Sequence, residues 1–91
     1  MFDFTERTEL LIGSENVKRL EKASVLIFGV GGVGGHIAET LARCGVGELV
    51  LVDNDVVSLS NINRQIIATR SNVGRLKVDV MKERILDINP D

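Results

Sequence analysis

The stretch VLIFGVGGVGGHIAETLARCGVGELVLVDND, residues 25–55, decides the fold. The apolar run VLIF (25–28) predicts a strand buried on both faces, and ELVLVD (48–53) predicts a second buried strand. Apolar spacing between them predicts a helix over 34–43, with Gly45 as its left-handed cap. A strand, a glycine turn, a helix and a strand in this order form a βαβ unit with parallel strands. We therefore expect a Rossmann-like α/β fold.

Helices are also predicted on either side of this unit. Ser14 is positioned to cap a short helix over 15–23, whereas residues 1–13 show no clear period. After the second strand, a loop with a helical turn near Ser60 is expected. A final helix is predicted over 75–88, because apolar residues recur there at helical spacing, namely Val78, Met81, Ile85 and Ile88.

Composition and charge exclude several classes of protein. No apolar run approaches the ~18 residues of a membrane-spanning helix, so we expect no membrane partner and a cytoplasmic location. Cys44 is the one cysteine, which fits a reducing compartment. The net charge of −2 argues against binding nucleic acid by bulk charge. The segment 64–84 is nevertheless basic, with Arg64, Arg70, Arg75, Lys77, Lys82 and Arg84 against Asp79 and Glu83.

The glycine turn has the spacing of a phosphate-binding motif. Gly29, Gly31 and Gly34 fit G-x-G-x-x-G, in which the glycines permit a tight turn, a close approach to phosphate and close packing of helix on strand. Asp53 ends the second strand, where a carboxylate can accept hydrogen bonds from ribose hydroxyls. These features fit an NAD site as well as an ATP site.

The residues around this motif favour a triphosphate. The additional Gly32 clears more backbone than a pyrophosphate turn requires. The sequence SNINRQ brings Ser60, Asn61 and Arg64 together, and Lys77 follows at the start of the last helix. A triphosphate needs several cationic and amide donors, which a nicotinamide site does not need.

The whole pattern resembles the ThiF/MoeB/HesA family of adenylating enzymes, relatives of the ubiquitin-activating enzymes. The segments that carry the resemblance are RTELLIG (7–13), VLIFGVGGVG (25–34), ARCGVGELVLVDNDVVSLSNINRQ (42–65), VGRLKV (73–78) and INP (88–90). Within the family, the sequence after Asn61 is most similar to the branch that dehydrates threonylcarbamoyladenosine in tRNA. The resemblance implies ATP-dependent adenylation of a carboxylate, with ATP and Mg²⁺ as cofactors.

The resemblance also implies a role for each matching residue. Asp53 would bind the ribose, and the glycine turn would face the nucleotide with Gly29, Gly31, Gly32 and Gly34. The phosphates would be surrounded by Ser60, Asn61, Arg64 and Lys77, of which Arg64 and Lys77 are also candidate catalytic residues. Arg7, the third candidate catalytic residue, matches an arginine that the family supplies to the neighbouring subunit's ATP, which implies a homodimer. Asp55 is a weaker candidate.

Other residues and other functions are weighed against these roles. Cys44 is expected to pack, and His36 is expected to be neutral or exposed and not a general base. Without the resemblance, Arg64 and Lys77 could equally be solvated. The alternative functions are activation of a ubiquitin-like sulfur carrier, an NAD-dependent oxidoreductase and a non-catalytic ATP-binding or dimerisation module. tRNA is the expected substrate partner, with a ubiquitin-like or sulfur-transfer protein as the other candidate.

The domain organisation follows from the resemblance. Residues 1–24 would form a helical arm, and 25–91 the N-terminal part of an ATP-binding adenylation domain that stops after the helix ending near residue 88. The family's magnesium-binding aspartate and any reactive or zinc-binding cysteines would lie beyond this chain. We therefore expect an N-terminal segment that is not active alone and holds no metal through its own side chains.

Overall fold

The computed structural model describes residues 3–90. This range contains four α-helices, two strands and three short 3₁₀ helices. The α-helices are α1 (Glu6–Ile12), α2 (Ser14–Lys22), α3 (Gly32–Arg43) and α4 (Lys77–Ile88), and the strands are β1 (Ser24–Phe28) and β2 (Glu48–Val52). The 3₁₀ helices are Asp3–Thr5, Leu59–Asn61 and Arg70–Asn72.

The two strands form a parallel pair, as predicted. Ser24 lies opposite Glu48 and Phe28 opposite Val52. The helix α3 connects the strands and packs against α4 and β1. Buried apolar residues of these elements and of the loop after β2 form one core, which contains Ile27, Val30, Ala38, Val57, Ile67, Ala68, Val80 and Met81. The βαβ unit, the loop after β2 and α4 therefore share one core.

The strands are covered on one face within residues 3–90. Val25, Ile27, Leu49 and Leu51 face the core. The alternate residues are open, since Leu26 is 53% exposed and Phe28 75% exposed. The prediction that both strands are buried on both faces is therefore wrong for the described chain. A parallel sheet becomes buried on both faces only when helices cover each face.

The predicted helices are present, with shifted ends. The last helix begins at Lys77, not at residue 75, and Gly45 has the expected left-handed φ of 86° directly after α3. The helix α3 begins at Gly32, two residues before the predicted start. Glycine lowers helix propensity, but close packing on β1 requires glycine here, and packing overrides propensity.

The N-terminal helices differ most from the sequence prediction. The helix α1 was not predicted, and none of its residues is buried. It therefore lacks the apolar period by which a helix is recognised in a sequence. The capping role predicted for Ser14 is wrong, because Gly13 is the N-cap of α2 and no side-chain cap bond is formed.

Candidate functional site

The carboxyl ends of both strands meet at an open cleft. Gly29 follows β1, and Asp53 follows β2. The cleft has a volume of about 470 Å³ and is lined by Gly29, Val52, Asp53 and Asn54. Ligands of open parallel sheets bind outside the carboxyl ends of the strands, so this edge is the first place to look for a site.

Asp53 joins the two strand ends through its carboxylate. Its Oδ2 accepts a hydrogen bond of 3.0 Å from the backbone N–H of Val30, and its Oδ1 accepts one of 2.8 Å from the N–H of Asp55. The N–H of Gly29 also donates to the carbonyl oxygen of Val52, at 2.7 Å. The carboxylate is thus held in a fixed orientation, and each oxygen keeps a lone pair for another donor.

The glycine turn combines open and crowded positions. Gly29 and Gly32 have φ angles of 86° and 46°, and a Cβ on either would meet nothing within 4 Å. A Cβ on Gly34 would lie 1.8 Å from the carbonyl oxygen of Gly29, so only glycine allows α3 to pack this closely on the end of β1. The space over Gly31 holds the side-chain amide of Gln65. The open side of the turn leaves the first N–H groups of α3 accessible to an anion.

Ser58 and Asn61 form a reciprocal cap in the segment after β2. Asn61 Oδ1 accepts hydrogen bonds from the N–H of Ser58 at 2.9 Å and from its hydroxyl at 3.0 Å. Asn61 is 8% exposed, and this cap uses its oxygen while its Nδ2 is left as a donor. The hydroxyl of Ser60 lies 3.3 Å from that of Ser58.

Arg64 lies on the exposed side of the same segment. Its Nη1 donates to the carbonyl oxygen of Ser60 at 3.2 Å and to Oδ1 of Asn63 at 2.8 Å. The structure thus brings Ser60, Asn61 and Arg64 into one turn, as the sequence predicts. The guanidinium keeps further N–H donors for a ligand.

Lys77 is buried, although lysine is usually exposed. Its side chain is 9% exposed, and its Nζ lies 4.0 Å from Oδ2 of Asp55. The backbone N–H of Lys77 donates to the carbonyl oxygen of Asp55 at 3.0 Å, which fixes the start of α4 beside the strand edge. An ammonium buried at a helix N-terminus loses its solvation and is repelled by the positive end of the helix dipole. An anion bound nearby would offset this cost.

Arg7 is not brought to the glycine turn by the fold of one chain. It is exposed on α1, whose main contacts in the described residues are with α2 and the 3₁₀ helix Asp3–Thr5. His36 is exposed on α3, and Cys44 is partly buried at the end of this helix. These positions agree with the expectations for His36 and Cys44.

Some of the basic residues of 64–84 are paired within the chain. Arg75 and Glu83 form a two-bond ion pair at 2.8 and 2.6 Å, and Arg84 pairs with Glu39. The hydrogen bond to Arg75 lowers the pKa of the Glu83 carboxyl and raises the pKa of Arg75. These arginines stabilise the packing of α4, and they are less available for a ligand than Arg64.

Sequence reasoning did not single out Gln65 and Ser58. Gln65 was part of the quoted motif SNINRQ, but its contact with Gly31 spans 34 positions and leaves no local signal. The spacing of Ser58 and Asn61 is that of a capping box and could have indicated their pairing.

Two kinds of feature are not found in the described chain. Among residues 3–90, no group of three or more His, Cys, Asp or Glu side chains is placed to hold a metal ion. No helix in this range is long and apolar enough to cross a membrane.

Comparison with known proteins extends this description. The sequence profile of the ThiF family matches residues 5–91. The tRNA threonylcarbamoyladenosine dehydratase of Bacillus subtilis is 54% identical over 85 residues, which cover 93% of this chain and 34% of that enzyme. A probable molybdopterin-synthase adenylyltransferase of Porphyra purpurea is 41% identical over 76 residues, or 84% of this chain and 20% of that protein.

Solved structures give the same picture. The E. coli tRNA N6-threonylcarbamoyladenosine dehydratase, solved in complex with ATP, matches with a TM-score of 0.91 and 46% identity. The match covers 92% of this chain and 35% of that one. It confirms the predicted α/β fold class. The chain spans about a third of the length of the dehydratases it matches.

Proposed function

Because the chain belongs to the ThiF family, we propose that it contributes the nucleotide site of an enzyme that uses ATP to adenylate a carboxylate. Residues 25–91 would form this part of the adenylation domain, and 1–24 would form an arm. The preferred substrate is the carboxylate of threonylcarbamoyladenosine in tRNA, since a relative of 54% identity is a dehydratase of this nucleoside. The observation that carries the proposal is the burial of Lys77, whose Nζ lies 4.0 Å from Asp55, two residues after Asp53.

The geometry supports a nucleotide with its ribose at Asp53. This carboxylate is fixed by the N–H groups of Val30 and Asp55, and its remaining lone pairs can accept the two ribose hydroxyls. The E. coli relative was solved with ATP, which supports ATP over a nicotinamide dinucleotide as the ligand.

The phosphates would extend from the ribose across the glycine turn. The open positions Gly29 and Gly32 leave room for them, and the N–H groups of the first turn of α3 would donate to their oxygens. Ser60, Asn61, Arg64 and Lys77 would supply further donors, of which Arg64 and Lys77 carry positive charge. Donors of this kind stabilise the charge that develops on a leaving pyrophosphate.

The proposed reaction follows from these contacts. A carboxylate oxygen of the substrate bonds to the α-phosphorus, and the bond from this phosphorus to the bridging oxygen breaks as pyrophosphate leaves. A nitrogen or oxygen of the carbamoyl group then attacks the acyl carbon, the bond from this carbon to the AMP oxygen breaks, and a carbamoyl N–H proton passes to solvent. The products are a cyclic nucleoside and AMP. Mg²⁺ bound with ATP would neutralise phosphate charge. Because no carboxylate cluster in residues 3–90 forms a site for it, we assign it no step and no ligand here.

We also propose a homodimer in the cytoplasm. Arg7 lies on α1 beside Leu10 and Leu11, which are 84% and 85% exposed. A second copy that covers these leucines would draw α1, and Arg7 with it, towards the neighbouring site. The exposure of two adjacent leucines supports this assembly, because apolar patches mark interaction surfaces.

A second candidate function is activation of the C-terminus of a ubiquitin-like sulfur carrier. The Porphyra relative, named as an adenylyltransferase, favours this reaction class at 41% identity. Both candidates use the same ATP site and differ only in the carboxylate that is activated. The names of these relatives support adenylation over a dinucleotide-dependent oxidation.

One experiment separates the candidates. Full-length protein is incubated with ATP, magnesium and tRNA that carries threonylcarbamoyladenosine, and AMP, pyrophosphate and the mass of the nucleoside are measured. We expect AMP, pyrophosphate and a nucleoside that has lost one water. Unmodified tRNA is the negative control, and a ubiquitin-like protein ending in Gly-Gly tests the second candidate. Absence of AMP with both substrates would refute the proposed activity.

A further inference from the structure

We propose that Gln65 is a positioning residue of the nucleotide site, which holds the glycine turn against the segment that carries Asn61 and Arg64. This inference rests on the function proposed above. It assigns a specific role to a side chain that lies next to the phosphate-binding residues without being one of them.

The side-chain amide of Gln65 lies against Gly31. A Cβ on Gly31 would lie 2.7 Å from Oε1, 2.9 Å from Cδ and 3.0 Å from Nε2 of Gln65. The side-chain amide of Gln65 therefore occupies the space that a Cβ on Gly31 would take. Gly31 is the N-cap of α3, where the phosphate would approach. The amide therefore covers one side of the turn and leaves the other open.

Ile66, the residue after Gln65, packs in a similar way one helical turn further along α3. A Cβ on Gly35 would lie 3.4 Å from Cγ2 of Ile66. Gly31, the N-cap of α3, and Gly35, four positions further on, thus receive two consecutive side chains of the loop after β2. The loop is fixed in register along the helix, because a shift would drive Ile66 or Gln65 out of its glycine position.

Gln65 is also tied to the phosphate segment through its backbone. Its N–H donates to the carbonyl oxygen of Asn61 at 2.9 Å, and the N–H of Arg64 donates to the same oxygen at 3.1 Å. The three residues therefore move as one turn. A displacement of the Gln65 side chain from Gly31 would shift Arg64 relative to α3.

The amide oxygen gives an independent indication of a ligand. Oε1 of Gln65 is buried, and it has no hydrogen-bond partner among the residues that the structure describes. Buried polar atoms are nearly always hydrogen-bonded, and an exception calls for a missing partner. The missing partner must be a donor, because an amide oxygen accepts; a ribose hydroxyl or a water bound with the nucleotide would supply it, whereas a phosphate oxygen would not.

A negative charge introduced at constant side-chain shape tests this position. Gln65→Glu keeps the side-chain shape, whereas Gln65→Met keeps the length and removes the polar atoms. We expect Gln65→Glu to weaken ATP binding about tenfold or more by repulsion of the phosphates and to change adenosine binding less than about twofold. Gln65→Met is the matched control and should weaken ATP binding only a few-fold. Equal ATP affinity of the wild type and Gln65→Glu would overturn the proposal.

A pair of substitutions tests the coupling to the turn. Gly31→Ala should weaken ATP binding about tenfold, because the new Cβ meets the amide, and Gln65→Ala in the same chain should restore a substantial part of the affinity. Additive losses would contradict the proposed role. Thermal unfolding of the same variants shows the same coupling without ATP. If the wild type did not bind ATP but Gly31 and Gln65 were still coupled in thermal unfolding, the proposed function would be rejected and the contact between the two residues would stand.

Discussion

The carboxylate of Asp53 accepts a 3.0 Å hydrogen bond from the backbone N–H of Val30 and so ties the end of β2 to the glycine turn after β1. Val30 is fully buried, so this bond is shielded on one side by the core. The residue expected to bind ribose therefore also shapes the turn that would face the phosphates. Loss of this side chain should affect both binding and folding.

We expect Asp53→Ala to weaken the binding of both ATP and adenosine, because the proposed contact is to the ribose that the two ligands share. Removal of the acceptor leaves the N–H of Val30 unpaired, which should lower the free energy of unfolding by about 1–3 kcal/mol. Calorimetry and urea unfolding measure the two effects. Asp87→Ala, an exposed acid on α4, is the control. Unchanged adenosine affinity in Asp53→Ala would remove Asp53 from the ribose site.

Lys77 should show opposite effects on binding and stability. Lys77→Met should weaken ATP binding by ~1.5–3 kcal/mol, the range for a hydrogen bond to a charged group, and leave adenosine binding nearly unchanged. Its side chain is 9% exposed and its ion pair with Asp55 is long at 4.0 Å, so an apolar side chain of similar length should leave stability unchanged or raise it. A large loss of stability without loss of ATP binding would indicate a structural lysine.

Replacement of Gly34 by alanine should lower the free energy of unfolding more than replacement of Gly32. Gly34→Ala places a Cβ 1.8 Å from the carbonyl oxygen of Gly29, and the resulting backbone shift should cost about 3 kcal/mol or more. Gly32→Ala meets no atom but keeps a φ of 46°, which should cost only ~1–2 kcal/mol. Thermal unfolding of the two variants gives the comparison. Equal losses would show that α3 can move away from β1.

The sequence predicts those parts of the structure that depend on residues close together in the chain, and it does not predict contacts between distant residues. The βαβ unit follows from apolar runs and glycine spacing, which are local signals, and the structure has both strands within one residue of their predicted ends. The helix α1 could not be predicted, because none of its residues is buried and its sequence has no apolar period. The exposed outer face of the sheet could not be predicted either, since apolar runs do not show which elements cover them.

The same distinction between local and long-range signals applies to the candidate site. Asp53 and the glycines were proposed from their spacing, and Arg64 and Lys77 from the sequence SNINRQ and the start of the last helix. Burial of Lys77 and exposure of Arg64 depend on the packing of α4, which the sequence pattern does not specify. Gln65 was missed because its partner Gly31 is brought close only by the fold.

The ion pair between Arg75 and Glu83 should be visible in an acid titration. Its hydrogen bonds lower the pKa of Glu83, so the pair stabilises the fold above the carboxyl's unfolded pKa and loses this effect as the pH falls through the folded pKa. Carbon-detected NMR should show a Glu83 midpoint below that of an ordinary glutamate. Arg75→Gln should return it towards the ordinary value. An unshifted Glu83 in the wild type would contradict the pair in solution.

The exposed leucines of α1 should determine assembly without affecting the fold of one chain. Leu10 and Leu11 are 84% and 85% exposed, so Leu10→Ser with Leu11→Ser removes apolar surface that the single chain does not bury. We expect sedimentation to find a dimer for the wild-type full-length protein and a monomer for the double variant, with the same circular dichroism.

The same surface links assembly to activity. If Arg7 acts on the neighbouring site, a mixture of Arg7→Ala and Gly32→Val chains should recover part of the pyrophosphate release that each variant lacks alone. The hybrid dimer has one site with an intact glycine turn and a partner that supplies an intact Arg7. The leucine double variant should abolish this recovery when it is built into both chains. A wild-type monomer at micromolar concentration would refute the dimer, and a dimer without complementation would leave Arg7 outside the site.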